Sequence, residues 1–143
     1  MIEAATDRDL PQVRSLLEQH HLPLDGVDDR SRTMLVARDG SQVVGTAALE
    51  LYSDCALLRS VAVDAAQQGR HLGRQLTEAV LRLAQDHGVH TVFLLTTTAE
   101  RFFPKFGFEQ ITRDEVPETV RASVEFTSAC PASAIVMRKR LAE

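Results

Sequence analysis

The stretch from Leu57 to Leu76, LLRSVAVDAAQQGRHLGRQL, constrains the fold more than any other part of the chain. It begins as an apolar run of Leu57, Leu58, Val61, Ala62 and Val63, which reads as a buried strand. It ends with Leu72 and Leu76, followed by Val80 and Leu83, at the spacing of an amphipathic helix. Between them lies Gln68-Gly69-Arg70-His71-Leu72-Gly73, a glycine-containing loop that feeds the helix start. A helix N-terminus offers unpaired N–H groups at the positive end of its dipole, so it is a natural seat for phosphate. Glycine lets the backbone approach the anion, and Arg70 and Arg74 add charge. The alternative is that Gly69 and Gly73 merely make a tight turn, and context decides between the two.

The context comes from the rest of the chain. Its 143 residues are enough for one domain, taken as residues 1–143, with one sizeable core. The composition, 44% hydrophobic and 25% charged, is that of a globular protein. A net charge of −4 does not favour nucleic acid as a partner. No apolar run reaches membrane-spanning length and no signal-peptide pattern opens the chain, so a cytoplasmic protein without a membrane partner is expected. Cys55 and Cys130 are far apart and form no metal-binding spacing, so no metal is expected and both read as free thiols.

Met1 to Ala5 reads as an edge strand. Thr6 or Asp7 can cap a helix to about His20, with Leu10, Val13, Leu16 and Leu17 on one face and Pro11 in an early turn. His20 and His21 read as a solvent-facing helix end rather than as ligands. Thr33–Arg38 and Gln42–Leu51 are predicted strands joined at Asp39-Gly40. Gly45 marks a bulge or a close backbone approach. A turn at Tyr52–Cys55 leads into Ala56–Val63, completing an antiparallel meander. A helix follows from about His71 to His87, ended by Gly88. Thr91–Thr96 is a buried strand, Thr97–Lys105 a short helix that Pro104 makes brief or kinked, Gly107-Phe108 the start of a short strand, Pro117–Val124 helical and Ser133–Arg138 a closing strand. This order predicts a mixed α/β sandwich.

With the glycine loop, this order resembles the GNAT acetyltransferase superfamily over nearly the whole chain. The acyl-CoA signature of that family is Gln or Arg, two residues, Gly, one residue, then Gly or Ala, after a strand ending like Val-Ala-Val. Gln68 and Gly73 match its ends, and His71 stands where the family most often has Gly. A second segment, Thr98 to Phe108, resembles the part of the family in which a small helix precedes Gly-Phe. Many relatives have Tyr where this chain has Phe103, and that Tyr often protonates the departing CoA sulfur. Phe cannot do so, but a thiol of pKa about 8.5 leaves tolerably as thiolate near neutral pH.

The resemblance implies a mixed, mostly antiparallel sheet flanked by helices, with splayed central strands. It implies acetyl-CoA as co-substrate, bound by Val61, Ala62, Val63, Gln68, Gly69, Arg70, His71, Leu72, Gly73, Arg74, Thr97 and Phe103. It implies N-acetylation of an amine, with an N–H near Val61–Val63 polarising the thioester carbonyl. Thr96, Thr97 and Thr98 stand at the mouth of the expected splay, with helix capping as the alternative role. If Ser53-Asp54 is the hairpin tip, Glu50 lies opposite Leu57 and diagonal to Arg59 on the same face. Glu50 is then the candidate base, with a structural ion pair to Arg59 as the alternative.

Three phrases, Leu57–Val63, Leu94–Ala99 and Cys130–Ala134, resemble a narrower branch associated with bacterial arsenic-resistance gene sets. That branch implies a small anionic amino acid or amino-acid-like toxin as acceptor, and Arg59 then suits its carboxylate or oxyanion as a planar, bidentate fork. A protein or peptide amine is the second possibility, and a non-catalytic acyl-CoA-binding sensor the third. A homodimer is compatible with all three.

Overall fold

Alternating apolar residues in the middle strands build a sheet that is covered on both faces. The computed structural model describes residues 2–20, 22, 24, 33–52, 54–67, 71–96, 99, 101–121 and 134–141. In chain order the elements are β1 (Ile2–Ala4), α1 (Leu10–Gln19), β2 (Met34–Asp39), β3 (Gln42–Leu51), β4 (Cys55–Val63), α2 (Leu72–Asp86), β5 (Thr91–Thr96), β6 (Glu109–Ile111), α3 (Glu118–Arg121) and β7 (Ile135–Arg140). They form a seven-stranded sheet of order β1-β2-β3-β4-β5-β7-β6. Every pairing is antiparallel except that of β4 with β5. This is the mixed sheet flanked by helices that the sequence implies.

Successive residues of a strand point to opposite faces. Ala47 and Leu49 of β3, Ala56 and Leu58 of β4, and Val92 and Leu94 of β5 meet Leu76, Val80 and Ala84 of α2. On the other face, Val36 and Ala48 pack with Val13, Leu16 and Leu17 of α1. Further along that face, Leu57, Phe93 and Val136 pack with Val116 and Val120, at α3. The sheet thus carries one cluster under α2, and two under α1 and α3.

The start of α1 is fastened twice. The Thr6 N–H donates to Asp9 Oδ2 at 2.7 Å, capping the turn that leads into the helix. Arg38 of β2 then donates to both Asp9 oxygens at 2.6 Å, a bidentate pair that ties the helix entry to the sheet. This pairing holds the Asp9 carboxyl at about 2, well below the usual carboxylate range.

Gly45 fulfils both parts of its expectation. The β2–β3 register shifts beside it, from Ala37↔Gly45 to Arg38↔Val43, so Val44 is the extra residue of a bulge. A Cβ on Gly45 would lie 2.7 Å from Leu76 Cδ1, so any side chain there would force the Leu76 methyl aside.

Some boundaries differ from the sequence reading. Asp39 pairs with Gln42, so the hairpin turn is Gly40-Ser41 rather than Asp39-Gly40; Gly40 takes the positive φ, 65°. Of the helix expected over Thr97–Lys105, the described residues show a 3₁₀ turn at Phe103–Phe106, containing Pro104 and ended by Gly107 with φ 93°; residues 97, 98 and 100 lie outside the described residues. Proline cannot donate into a longer helix, and a left-handed glycine stops it. The helix expected at Pro117–Val124 is observed at Glu118–Arg121; residues 122–124 lie outside the described residues. The closing strand runs on to Arg140. Among the described residues, no helix is long and apolar enough to cross a membrane.

Candidate active site

The site grows from an irregularity in β4. Thr46 pairs with Ala62 and Ala48 with Arg59, so Ala47 alone faces two residues, Ser60 and Val61. A bulge of this kind takes a residue out of the hydrogen-bonded ladder and bends the strand. It also reverses the alternation. Arg59 and Ala62 lie on the α1 and α3 face, whereas Val61 and Val63 turn to the α2 side. Ser60 bears the strain, with φ 58° in the left-handed region.

Beside the bulge the sheet opens. β4 and β5 pair in parallel from Cys55↔Thr91 to Leu58↔Leu94, and pairing stops there although both strands continue. Arg59–Val63 and Leu95–Thr96 therefore border a gap between central strands. The expected splay is present, and it begins just after Leu94.

The N-terminus of α2 lies near this gap. His71 precedes the helix with φ 62° and ψ 17°, and it provides no side-chain cap. Among the described residues, the first donor bond of the helix runs from the Gln75 N–H to the His71 carbonyl at 3.0 Å. The N–H groups of Leu72, Gly73 and Arg74 precede it, in the turn where a helix has no acceptors of its own. An anion fits such a terminus. Arg74 is exposed and lies 3.8 Å from Glu78 one turn on. Gly73 is not turned to open space: a Cβ there would stand 3.6 Å from both Phe102 Cζ and Val63 Cγ2. A Cβ there would make ordinary van der Waals contact with Phe102 and Val63, so these two side chains border Gly73 at the start of α2. Gln68, Gly69, Arg70 and Thr97 lie outside the described residues, as do His21, Thr98 and Cys130.

At the base of the gap, Glu50 pairs with Leu57 in the register read from sequence. Arg59 donates through Nη1 to Glu50 Oε2 at 2.8 Å, and the two side chains are only 1% and 4% exposed. Tyr52 donates its hydroxyl to the other Glu50 oxygen at 2.9 Å. The pair lies between the α1 and α3 clusters, since Ala48 and Ala62 belong to one and Leu57 to the other. Charges there need partners, and each finds one.

Two members of this group escaped the sequence reading. Tyr52 reads in the sequence as part of a turn, yet it follows Glu50 by two residues and so shares its face, which is the available signal. Ser60 gave no signal, because a bulge depends on the partner strand. Thr96 takes the blander of its two roles: its Oγ1 accepts from the Ala99 N–H at 2.9 Å as a cap. Phe103 is buried in the α2-side core, edge-on to Phe102 at 5.1 Å and to Phe108 at 5.7 Å. The ring that the fold brings to the α2 terminus is Phe102. Cys55 is buried under α3, where burial, aided by the charge of Asp54, pushes its thiol up. No group of three or more metal-ligating side chains occurs among the described residues.

Comparison with known proteins bears on this geometry. Residues 30–110 match the family model described as acetyltransferase (GNAT) domain. An amino-acid acetyltransferase of Mycobacterium tuberculosis is 41% identical over 71 residues, covering 49% of this chain and 40% of that protein. A M. tuberculosis protein crystallised with CoA and a second ligand superposes with a TM-score of 0.85 at 25% identity, covering 99% of both chains. The N-acetylglutamate synthase of Neisseria gonorrhoeae, complexed with coenzyme A and N-acetyl-glutamate, gives a TM-score of 0.87 at 23% identity. That match covers 100% of this chain and 35% of the synthase. The chain thus aligns with well under two thirds of the length of the amino-acid acetyltransferase.

Proposed function

The chain belongs to the GNAT acetyltransferase domain family, and from that premise we propose that it moves an acetyl group from acetyl-CoA to the α-amino group of a small anionic amino acid. One observation carries the reading. The β4–β5 pairing stops beside a bulge, and the buried Glu50–Arg59 pair lies at the same place. The gap gives a thioester a path between strands, and the ion pair gives the acceptor a polar end.

In this reading the N–H groups of Leu72, Gly73 and Arg74, with the backbone of Gln68 to His71, hold the phosphates of acetyl-CoA. Val61, Ala62 and Val63 border the thioester arm, and an N–H released at the bulge polarises its carbonyl. Thr97 and Phe103 complete the cofactor side, Phe103 by packing the wall behind Phe102. Acetyl-CoA supplies the activated carbonyl carbon. The amine nitrogen forms a bond to it, the carbon–sulfur bond breaks, and the sulfur leaves as thiolate while the amine gives up a proton. Arg59 holds the acceptor's anionic group through its planar fork. Glu50 orients the amine or accepts its proton. Holding both partners at the gap supplies much of the acceleration.

The amino-acid acetyltransferase of M. tuberculosis and the N-acetylglutamate complex of the gonococcal synthase support an amino acid as acceptor. The branch associated with arsenic-resistance gene sets is the finer form of the proposal, with a phosphinic or arsinic amino acid in place of a common one. The proposal takes residues 1–143 as one catalytic domain, places the reaction in the cytoplasm without membrane or nucleic-acid partners, and allows a homodimer.

A thiol-release assay with acetyl-CoA tests it, run across amino acids, their phosphinic and arsinic analogues, and peptides. The expected result is the highest kcat/KM for a small α-amino acid bearing a second anionic group. Preference for peptides would replace this reading with a peptide acetyltransferase. Acetyl-CoA binding without thiol release to any amine would replace it with a sensor.

A further inference from the structure

We propose that Tyr52 is a positioning residue that acts through Glu50: its hydroxyl favours the carboxylate form of Glu50 and so sets the pH above which acetyl transfer runs. The proposal rests on the reading that Glu50 accepts the amine's proton. The first observation is the contact itself. Arg59 Nη1 donates to Glu50 Oε2 at 2.8 Å, and the Tyr52 hydroxyl donates to the other oxygen, Oε1, at 2.9 Å. A hydrogen bond given to a carboxylate stabilises the charged form against the protonated one. Glu50 is only 3% exposed, and burial works in the opposite sense, so each donor from the chain offsets part of the cost of its charge.

The second observation is that the fold places this hydroxyl. The Tyr52 N–H donates to the Cys55 carbonyl at 2.9 Å across the turn between β3 and β4. The half-buried ring packs against the cluster that contains Leu57, Phe93 and Val120. Backbone and ring are both held, so the donor stands ready beside Glu50 and little ordering cost attends its bond. Other buried or half-buried charged and titratable groups on the elements of this face, among the described residues, are Cys55, Arg14, His20, Arg113, Arg121 and Arg138, with the Asp9–Arg38 pair at the start of α1. These groups, and everything else that touches Glu50, are the same in Tyr52→Phe, which keeps the ring and removes the hydroxyl. The sign of its effect on Glu50 therefore follows from the lost donor.

Titration of the Glu50 carboxyl carbon by NMR on the ligand-free protein tests this, the resonance being assigned by its loss in Glu50→Gln. The expected result is a midpoint about one pH unit higher in Tyr52→Phe than in wild type. Fluorescence gives an independent reading, because Tyr52 is the chain's one tyrosine and there is no tryptophan. A carboxylate that accepts from a tyrosine hydroxyl quenches its emission, so emission rises as Glu50 gains its proton, and Glu50→Gln lacks that transition. With L-glutamate as acceptor, the acid limb of kcat moves up by the same amount in Tyr52→Phe, while the KM for acetyl-CoA stays put. The two spectroscopic readouts decide alone if L-glutamate is not turned over. An unmoved midpoint overturns the proposal, and so does a Glu50 that stays ionised in both proteins down to acid unfolding. A lower melting temperature with the midpoint and acid limb unmoved marks a merely structural tyrosine and overturns it too. Unchanged kcat in Glu50→Gln overturns the reading of Glu50 as base. Lost turnover in Glu50→Gln with an unmoved acid limb in Tyr52→Phe overturns the Tyr52 role alone.

Discussion

Arg59→Met should destabilise the protein strongly, and Glu50→Leu added to it should restore most of the loss without restoring activity. The Arg59 and Glu50 side chains are 1% and 4% exposed and meet at 2.8 Å, so the single change takes the Arg59 cation away from a buried carboxylate among apolar clusters. Breaking a buried pair from one side costs about 3 to 5 kcal/mol. At about 4 °C per kcal/mol for a chain of this size, the melting temperature should fall by roughly 12 to 20 °C. Replacing both members with apolar side chains removes the stranded charge, and such exchanges are often neutral or stabilising. Here Tyr52 also loses the Glu50 oxygen to which it donates, so about 1 kcal/mol should stay lost. Thermal unfolding of the wild type, both single variants and the double variant gives the coupling energy. Thiol release by the recovered double variant then tests function apart from stability. An Arg59→Met protein as stable as wild type would show that the pair is not buried as described. A stable double variant with wild-type kcat/KM for an amino acid would show that the pair is structural and takes no part in acceptor binding.

His71→Gly should be neutral or stabilising by up to about 1 kcal/mol, because relief of left-handed strain, about 1 to 2 kcal/mol, outweighs glycine's added entropy cost of about 0.5 to 1; acetyl-CoA affinity by calorimetry should be kept, since the backbone N–H is unchanged. Gly73→Val should lose acetyl-CoA binding while Gly73→Ala keeps it, because a single Cβ meets Phe102 and Val63 at 3.6 Å and a branched side chain has no room beyond it; equal affinity in the Val variant would count against the α2 terminus as the site. Phe103→Tyr should lower stability by about 1 to 3 kcal/mol, because it pushes a hydroxyl into the packing around Phe102 and Phe108; an unchanged melting temperature would show that a polar partner is within reach. The Asp9 carboxyl is depressed from 3.8 to about 2, so its contribution is fully present above pH 3.8 and is lost as pH falls through 2. With screening by nearby solvent allowed for, that is about 1 to 2 kcal/mol, and Asp9→Asn should flatten the acid limb of stability between those values.

Much of the site was legible because strand register is local arithmetic. Placing a hairpin tip near Ser53-Asp54 was enough to set Glu50 opposite Leu57 and on the face of Arg59, and the structure has that register. Helical spacing likewise gave α2, and Gly88 its end, because each is a property of neighbours in the chain. The brevity of the helical turn at Phe103–Phe106 was legible for the same reason, since Pro104 marks it in the sequence as brief or kinked; its end at Gly107, with φ 93°, is seen in the structure.

What the sequence by itself determined is therefore the set of elements, their faces, and the family resemblance carried by a strand, a glycine loop and a helix. The tertiary structure alone decided where β4 bulges, where β4 parts from β5, and that β7 lies between β5 and β6. It also decided that Tyr52 and Ser60 touch the Glu50–Arg59 pair, and that Phe102 rather than Phe103 meets the α2 terminus. The physical reason is the same in each case. Alternation and helical period are written in residues a few positions apart, whereas a bulge or a parted strand depends on how many residues the partner strand offers opposite.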